Sequence, residues 1–198
     1  MNTRVLVTGG SGVIGRQVIG WLKDTDFEVW AVSRDGAVRG ADRVVQCDLL
    51  DSHSRRAALR QVRATHLVHL AWHEGSDRFE APENLIWAAA TLELFAEFAG
   101  FGGKRAIASG SCAEYDWSYE RLSETTPLRP STLYGQAKAC TGRLLDDAAG
   151  TLGISLAWAR IFFCYGPWMP RGSLPGDLVY GFAEGTPIPC TDGCQQRD

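Results

Sequence analysis

A glycine-rich turn between an apolar run and an amphipathic run constrains the fold of this chain most. The apolar start is followed by Thr8-Gly9-Gly10-Ser11-Gly12, and apolar side chains then repeat at helical spacing. A strand that passes through a tight glycine turn into a helix N-terminus forms a cradle for the pyrophosphate of a dinucleotide. We expect Gly10 to take a backbone conformation closed to other residues, Gly12 to let the main chain approach the phosphates, and Gly15 to let the helix pack close to the strand.

Strand-like and helix-like runs alternate along most of the chain. The strand-like runs lie near 3–8, 27–33, 43–47, 66–71, 104–109 and 154–160, and the helix-like runs near 13–24, 53–63, 82–99 and 131–149. This alternation predicts an α/β fold, a doubly wound (Rossmann) parallel sheet with helices on both faces and ligands at the carboxyl ends of its strands. Because loop-like composition begins after residue 163, we expect a Rossmann domain over 1–162 and the beginning of a substrate-binding lobe over 163–198.

Length and charge limit the classes of partner. The chain has 198 residues, the length of one ordinary domain, and a formal net charge of -3, which argues against nucleic acid or an anionic membrane as its main partner. It enters its first strand without the pattern of a signal peptide, and its apolar stretches fall short of the roughly 18 residues that a membrane span needs. We therefore expect a cytoplasmic protein with reduced cysteines.

Two groups of cysteine and histidine residues could suggest a metal site, but their spacing argues against one. Cys190-x-x-x-Cys194 has no partnering Cys or His pair nearby. His66, His69 and His73 lie at the end of a strand-like run, where residues four apart do not share a helical face. We expect no metal site at either place.

A second constellation follows the fifth strand-like run. Tyr134 and Lys138 are four apart on a helix that we expect Ser131 to cap, so they share one helical face. An ammonium close to a phenol lowers the pKa of the phenol, which makes Tyr134 an acid/base group near neutral pH. At the end of the preceding strand, the Ser111 hydroxyl is placed to hydrogen-bond a substrate carbonyl oxygen as charge develops on it.

These elements, in this order, resemble the extended short-chain dehydrogenase/reductases, also called the NAD-dependent epimerase/dehydratase family. The resemblance covers essentially the whole chain. Its motifs are Thr8-Gly9-Gly10-Ser11-Gly12-Val13-Ile14-Gly15, Asp48-Leu49, His69-Leu70-Ala71, Asn84, Ser111, Tyr134-x-x-x-Lys138 and Arg160-Ile161-Phe162-Phe163-Cys164-Tyr165-Gly166-Pro167.

The resemblance implies a role for each matching residue. Asp48 and Leu49 would lie beside the adenine ring, Ala71 beside the ribose and pyrophosphate, and Asn84 near the cofactor. Lys138 would bind the nicotinamide ribose hydroxyls, and Tyr134 would exchange a proton with the substrate oxygen that Ser111 holds while hydride moves to or from the nicotinamide. The full set of expected cofactor-binding residues is Gly9, Gly12, Val13, Ile14, Gly15, Ser33, Arg34, Asp48, Leu49, Leu70, Ala71, Asn84, Ser109, Tyr134 and Lys138.

The end of the second strand-like run bears on the cofactor. Proteins of this fold that bind NAD usually place an acidic residue there for the adenosine ribose hydroxyls, whereas this chain has Ser33 and Arg34. Those side chains can hold a 2'-phosphate through charge-assisted hydrogen bonds. The sequence therefore favours NADP over NAD, although Asp35 follows at once and leaves NAD as the alternative.

The residues after Ser111 narrow the reaction that the resemblance implies. In relatives that dehydrate nucleotide sugars, an Asp and a Glu follow the catalytic hydroxyl, but this chain has Cys112 and Ala113 there. Epimerase-reductases place a Cys at the position of Ala113. The implied activity is therefore a keto-reductase acting on a nucleotide-activated deoxysugar. The alternatives are a nucleotide-sugar 4-epimerase and a non-catalytic dinucleotide-binding module.

Substrate contacts and assembly complete the expectations from the resemblance. Phe163 stands where the family usually has an Asn that contacts the nucleotide sugar, and Arg197 matches an Arg that reaches the substrate phosphates. Because relatives continue well beyond that Arg, the chain is expected to be truncated at its C-terminus. Family members pair the helices carrying Asn84 and Tyr134 into a homodimer. The leucines compatible with such pairing, or with simple core packing, are Leu85, Leu92, Leu144 and Leu145.

Overall fold

The computed structural model describes residues 3–75, 77–169, 171–190 and 192. Its strands are β1 (Arg4–Thr8), β2 (Glu28–Ser33), β3 (Arg43–Gln46), β4 (His66–His69), β5 (Arg105–Ser111) and β6 (Ser155–Ile161). Its helices are α1 (Val13–Leu22), α2 (Ser52–Val62), α3 (Glu83–Gly100), α4 (Leu133–Leu152) and α5 (Leu174–Glu184), with a 3-10 turn at Cys112–Glu114.

The six strands form one parallel sheet in the order β3-β2-β1-β4-β5-β6. The order reverses between β1 and β4, which creates the crevice at the carboxyl ends of the strands where doubly wound folds bind ligands. The predicted doubly wound parallel sheet is confirmed. Because the glycine turn follows β1 directly, it lies at this crevice.

The core has one apolar cluster on each face of the sheet. Leu6 packs with residues of α2, α3 and α4, whereas Val5 and Val7 pack with Ile19 of α1. Successive residues of a strand point to opposite faces, so β1 serves both clusters. Leu145 belongs to the first of these clusters.

The remaining leucines named for helix pairing are not equivalent. Leu92 packs partly against the core, whereas Leu85 and Leu144 are exposed on α3 and α4. The homodimer stays a prediction that depends on those two exposed side chains.

Local interactions shift several boundaries from their predicted places. The cap of α4 is Thr132 and not Ser131, because the Thr132 hydroxyl accepts a hydrogen bond of 3.1 Å from the Gly135 amide. Strand β4 ends at His69, two residues earlier than predicted, because the next two amides turn to the Thr8 hydroxyl. Helix α5 was not predicted in this Gly- and Pro-rich segment, yet Ser173 caps its start.

The chain divides into two compact units, Met1–Ile161 and Phe162–Asp198. The first contains the whole sheet and helices α1 to α4, and the second contains α5. Among the described residues, no helix combines the length and apolar character that crossing a bilayer requires.

Candidate functional site

The glycine turn after β1 is shaped by contacts that exclude side chains. Gly9 has a φ of 66°, and a Cβ there would lie 2.8 Å from the Ala71 nitrogen. The expectation that Gly10 takes the left-handed conformation is therefore wrong, since Gly9 does so. Gly10 is needed for space, because a Cβ there would lie 2.8 Å from Ile19 Cδ1 and 2.9 Å from Val38 Cγ1.

The N-terminus of α1 is close to the turn and open to a ligand. A Cβ on Gly15 would overlap the Gly9 carbonyl oxygen and lie 2.7 Å from Gly10 Cα, so α1 packs directly on the turn as predicted. Gly12 is the N-cap without a capping side chain. The amides of the first turn, which includes Val13 and Ile14, lack acceptors within a helix, and together with the helix dipole they favour an anion.

A cavity of about 280 Å³ runs from this turn to the ends of β2 and β3. Its lining includes residues that were expected at the cofactor, namely Gly9, Gly12, Ser33, Arg34, Asp48, Leu49 and Ala71, together with Asp35, the acidic neighbour of Arg34. The lining also contains Ser11, Val32, Cys47, Trp72, Glu74 and Trp87, which the sequence did not single out. The lining places a helix N-terminus, which favours an anionic group, beside the ends of β2 and β3.

Asp35 holds the Ser33 hydroxyl at one end of the cavity. Ser33 Oγ donates a hydrogen bond of 2.8 Å to Asp35 Oδ1, and the Ala37 amide donates one of 3.1 Å to the same oxygen. The Ala37 amide, followed by the Ser33 hydroxyl, holds the pKa of Asp35 below its ordinary value. An acidic group is therefore present beside Arg34, although it comes two residues after the end of β2 at Ser33.

The Asp48–Leu49 segment is fixed by its own loop and by a buried arginine. Asp48 Oδ1 accepts a hydrogen bond of 3.0 Å from the Leu50 amide. Arg55 is wholly buried and donates a hydrogen bond of 2.7 Å to the Leu49 carbonyl oxygen. Arg55 also pairs with Glu97 on α3 at 2.7 Å, so two helices hold the wall of the cavity in place.

Lys138 is buried, and its ammonium is hydrogen-bonded to the main chain near the end of β5. Its Nζ donates a hydrogen bond of 2.8 Å to the Ser109 carbonyl oxygen and lies 3.8 Å from the centroid of the Trp72 ring. It lies 5.9 Å from the centroid of the Tyr134 ring. Burial lowers the pKa of Lys138 to about 7, and the opposing effect of Glu114 is smaller.

Tyr134 lies between aromatic side chains and the end of β5. Its ring meets Trp72 and Phe79 edge-on, with centroids 6.4 and 5.9 Å away. Burial raises the pKa of Tyr134, and a hydrogen bond with the Ser111 side chain lowers it to a smaller extent. The predicted lowering of this pKa by Lys138 is wrong for this arrangement, because the ammonium of Lys138 is engaged by Ser109 and Trp72.

Ser111 is held in a capping box that spans the 3-10 turn. Its hydroxyl accepts a hydrogen bond of 3.2 Å from the Ala113 amide, and Glu114 accepts one of 2.7 Å from the Ser111 amide. Glu114 was missed, although a Ser followed three residues later by a Glu is a readable sequence signal.

Asn84 supports a wall of the cavity from inside the protein. Its side chain is 0% exposed, accepts a hydrogen bond of 2.8 Å from Trp72 Nε1, and donates hydrogen bonds to the Arg78 and Ala81 carbonyl oxygens. Asn84 is not among the residues that line the cavity. It therefore orients Trp72, which does line the cavity, and its place near a bound cofactor stays a prediction.

His69 links β4 to β1 beneath the crevice. His69 Nδ1 lies 2.8 Å from the Thr8 hydroxyl oxygen, and Nε2 lies 3.1 Å from that of Thr91. Burial, and to a smaller extent Lys138, lowers the pKa of His69 to about 3, so the ring is neutral. The Thr8 hydroxyl also accepts hydrogen bonds from the Leu70 and Ala71 amides, which sets the main chain beside Gly9.

Comparisons with known proteins agree with this geometry. A model of the NAD dependent epimerase/dehydratase family matches residues 5–198. The chain belongs to this family. One relative, dTDP-6-deoxy-L-talose 4-dehydrogenase (NAD(+)) of Aggregatibacter actinomycetemcomitans, is 27% identical over 168 residues, which are 82% of this chain and 62% of that protein. Another, methionine adenosyltransferase 2 subunit beta of Danio rerio, is 31% identical over 140 residues, which are 68% of this chain and 41% of that protein.

A solved structure of the epimerase/dehydratase family shares the fold over nearly the whole chain. UDP-glucose 4-epimerase of Thermus thermophilus, in complex with NAD, is 25% identical, with a TM-score of 0.79 over 94% of this chain and 64% of that one. The chain thus spans 62% of the length of the dehydrogenase and 64% of that of the epimerase. The family resemblance seen in the sequence is confirmed.

The expected substrate contacts of Phe163 and Arg197 stay predictions. Phe163 belongs to the second compact unit, and its side chain is exposed. Arg197 and Cys194 lie outside the described residues. The residues that the structure does bring together are Ser109, Ser111, Tyr134 and Lys138, with Trp72 between Lys138 and the cavity.

Proposed function

We propose that this protein is an NAD(P)-dependent oxidoreductase of the extended short-chain type, and more narrowly a keto-reductase acting on a nucleotide-activated deoxysugar. The observation that carries the proposal is the position of Trp72. Its ring lines the cavity beside the glycine turn and also covers the Lys138 ammonium at 3.8 Å. The dinucleotide cavity and the acid/base group therefore share a wall.

The residues around the turn fit a dinucleotide. Close packing at Gly9, Gly10 and Gly15 leaves no room for side chains, so the main chain of the turn lies close to the uncapped N-terminus of α1. In the proposed function, the first-turn amides hold the pyrophosphate, and Asp48 and Leu49 flank the adenine. The expected contact of Lys138 with the nicotinamide ribose requires the Trp72 ring, which covers the ammonium at 3.8 Å, to move aside. When bound, the nicotinamide supplies or accepts the hydride.

The protonation state of Tyr134 favours the reductive direction. Because burial raises its pKa, the phenol carries its proton at neutral pH and acts as a general acid toward a keto oxygen. Ser111 is placed to help hold that oxygen, since its side chain hydrogen-bonds with Tyr134, and its hydroxyl oxygen also accepts a hydrogen bond from the Ala113 amide. A 4-epimerase begins with the oxidation of a hydroxyl group and needs the phenolate first.

The substrate class is supported by the relative of known activity. That protein is named as a 4-dehydrogenase of a dTDP-6-deoxy sugar. Removal of hydride at C4 of such a sugar gives a 4-keto group, and the reverse reaction is the reduction proposed here. The second relative is named as a subunit of a methionine adenosyltransferase and not as an oxidoreductase, so a non-catalytic dinucleotide-binding module stays the second candidate.

The cofactor is open to a direct measurement. Arg34 supports NADP, whereas the Asp35 carboxylate lies in the same cavity and repels a 2'-phosphate, which supports NAD. The preference for NADP stays a prediction that rests on Arg34. A dissociation constant lower for NAD than for NADP would show that Arg34 does not select the cofactor.

Substitution of Tyr134 by Phe separates the candidate functions. We expect the wild-type protein to consume NADH or NADPH with a nucleotide-4-keto-6-deoxyhexose, and Tyr134→Phe to lower kcat by about 100-fold or more. Dinucleotide affinity should stay within about twofold, because the ring and its aromatic contacts remain. Turnover of free aldehydes or ketones alone would overturn the substrate class, and dinucleotide binding without any turnover would favour the non-catalytic module.

A further inference from the structure

We propose that Glu114 is a positioning residue of the acid/base site, whose buried carboxylate fixes the main chain of Ser111 beside the strand segment that Lys138 holds. This proposal deepens the proposed function and rests on it for its catalytic meaning. Glu114 lies outside the family motifs that the sequence contains, and the contacts of its carboxylate are what single it out.

The Glu114 carboxylate is enclosed and fully engaged by donors from two strands. It is 0% exposed. It accepts hydrogen bonds of 2.7 Å from the Ser111 amide, 3.1 Å from Trp158 Nε1 and 2.8 Å from Arg160 Nε. Because a buried carboxylate is stable only with such partners, its position is tied to the ends of both β5 and β6.

The surrounding glycines show that this position is closely fitted. A Cβ on Gly110 would lie 2.6 Å from Glu114 Oε1, and one on Gly142 would lie 2.6 Å from Trp158 Nε1. Helix α4 therefore packs directly on the indole that donates to Glu114. Movement of the carboxylate would displace either β5 or α4, and both carry residues of the acid/base site.

The last residues of β5 are held by two buried groups of opposite charge. Lys138 donates to the Ser109 carbonyl oxygen at 2.8 Å, and Glu114 accepts from the Ser111 amide at 2.7 Å. Together they fix the direction of the strand on both sides of Gly110. The Ser111 hydroxyl is then oriented by its own bond from the Ala113 amide.

The charge of Glu114 also acts on the groups around it. It raises the pKa of Lys138 against the larger effect of burial, and it contributes to the raised pKa of Tyr134. The charged and titratable groups around Lys138 and its neighbours are Glu114 from the 3-10 turn, His69 from β4, Tyr134 from α4, Arg160, which pairs with Glu114, and Cys112 and Arg78, which act on Tyr134. The buried polar residues of α3, Asn84 and Thr91, do not titrate.

A titration of Lys138 tests the charge, without a cofactor or a substrate. The lysines of the chain are Lys23, Lys104 and Lys138, so lysine labelled with ¹³C at Cε gives few resonances, and Lys138→Arg assigns the one of interest. Glu114→Gln should move the Lys138 midpoint about one pH unit lower. The matched control is Trp158→Phe, which removes one donor to the carboxylate, keeps its charge and should leave the midpoint in place.

A second variant tests the positioning of Ser111. Glu114→Asp keeps the charge but shortens the reach to the Ser111 amide, so the Lys138 midpoint should stay near that of the wild type. Exchange of the Ser111 amide hydrogen should become about tenfold faster. This variant decides the question if Glu114→Gln does not fold.

The possible outcomes separate this proposal from the proposed function. Equal Lys138 midpoints in Glu114→Gln and Trp158→Phe, or unchanged Ser111 exchange in folded Glu114→Asp, overturn it. The expected changes, together with a lower kcat for both Glu114 variants in a nucleotide-sugar assay, support it. Because the titration uses no ligand, it keeps its meaning even if Tyr134→Phe shows that the protein is not an oxidoreductase.

Discussion

The glycine turn after β1 and the acid/base corner at the end of β5 lie at the same edge of one sheet but work by different physical means. The turn is shaped by close packing that leaves no room for side chains, and in the proposed function its main-chain amides hold the ligand. The corner depends on buried charged side chains, Lys138 and Glu114, which are 2% and 0% exposed. The turn is disrupted by substitutions that add atoms. The acid/base corner is disrupted by a change of pH or by removal of the partner of a buried charge.

The largest expected effect comes from filling the space at the turn. Gly15→Ala places a methyl group against the Gly9 carbonyl oxygen, which costs about 3 kcal/mol or more of stability and displaces α1 from the turn. Titration with reduced dinucleotide, followed by fluorescence, should show no saturable binding. The control is Gly20→Ala in the same helix, where no atom lies within 4 Å of the added Cβ. Normal binding by Gly15→Ala would show that the turn is not the pyrophosphate site.

A smaller effect is expected from loss of the hydrogen bond between Asn84 and Trp72. Asn84→Ala leaves Trp72 Nε1 and the Arg78 carbonyl oxygen without their partner, and should cost about 1–3 kcal/mol in chemical denaturation. Trp72→Phe removes the indole donor from the same pair. If the two substitutions act through this hydrogen bond, the double variant should lose less stability than the sum of the single ones. Additive losses would show that Asn84 does not orient Trp72.

The stability of the folded protein should depend on pH because His69 is buried. The folded state holds the pKa of His69 at about 3, against an ordinary value of 6.5, so below pH 6.5 the unfolded chain binds a proton that the folded one does not. Stability is therefore present above pH 6.5 and lost as the pH falls toward 3. Between pH 6.5 and 5 the loss should be about 1–2 kcal/mol. His69→Gln should flatten this dependence in denaturation curves, and an unchanged slope would exclude His69 as its source.

The smallest expected effect is a change of cofactor preference at the rim of the cavity. Asp35→Asn removes the carboxylate beside Ser33 and should raise affinity for NADP relative to NAD by about fivefold. Arg34→Gln removes the neighbouring positive charge and should lower the affinity for NADP relative to NAD. Dissociation constants for both dinucleotides check the two variants, and a ratio unaffected by either would place the selecting group elsewhere.

The turn and the acid/base corner also differed in how far the sequence could predict them. The spacing of Gly9, Gly12 and Gly15 and the alternation of runs were enough for the fold, because glycine requirements and strand periodicity are local properties. The assignment of the left-handed residue to Gly10 failed because the approach of Ala71, which comes from a distant strand, makes Gly9 the constrained position. The Tyr134 pKa failed for a similar reason, since burial and the partners of Lys138 arise only in the folded chain.

The residues missed altogether show the same limit. Trp72 is held in place by its hydrogen bond to Asn84 and by its contact with Lys138. Asn84 is 12 residues away in the sequence, and Lys138 lies on α4. Glu114 carried a local signal, the capping box, but its contacts with Trp158 and Arg160 depend on the pairing of β5 with β6. Local patterns predict where a helix begins, whereas buried polar networks depend on tertiary neighbours.

The hydrogen bonds of Glu114 to β5 and β6 join residues that are synthesised at different times. The turn needs only β1, α1 and the Leu70–Ala71 segment, so its partners have all been made once residue 71 has left the ribosome. Glu114 finds its partners only when Trp158 and Arg160 have emerged and β6 has paired with β5. Since the chain is made from the N-terminus, every residue of the turn and its neighbours has been synthesised well before the residues that complete the acid/base corner.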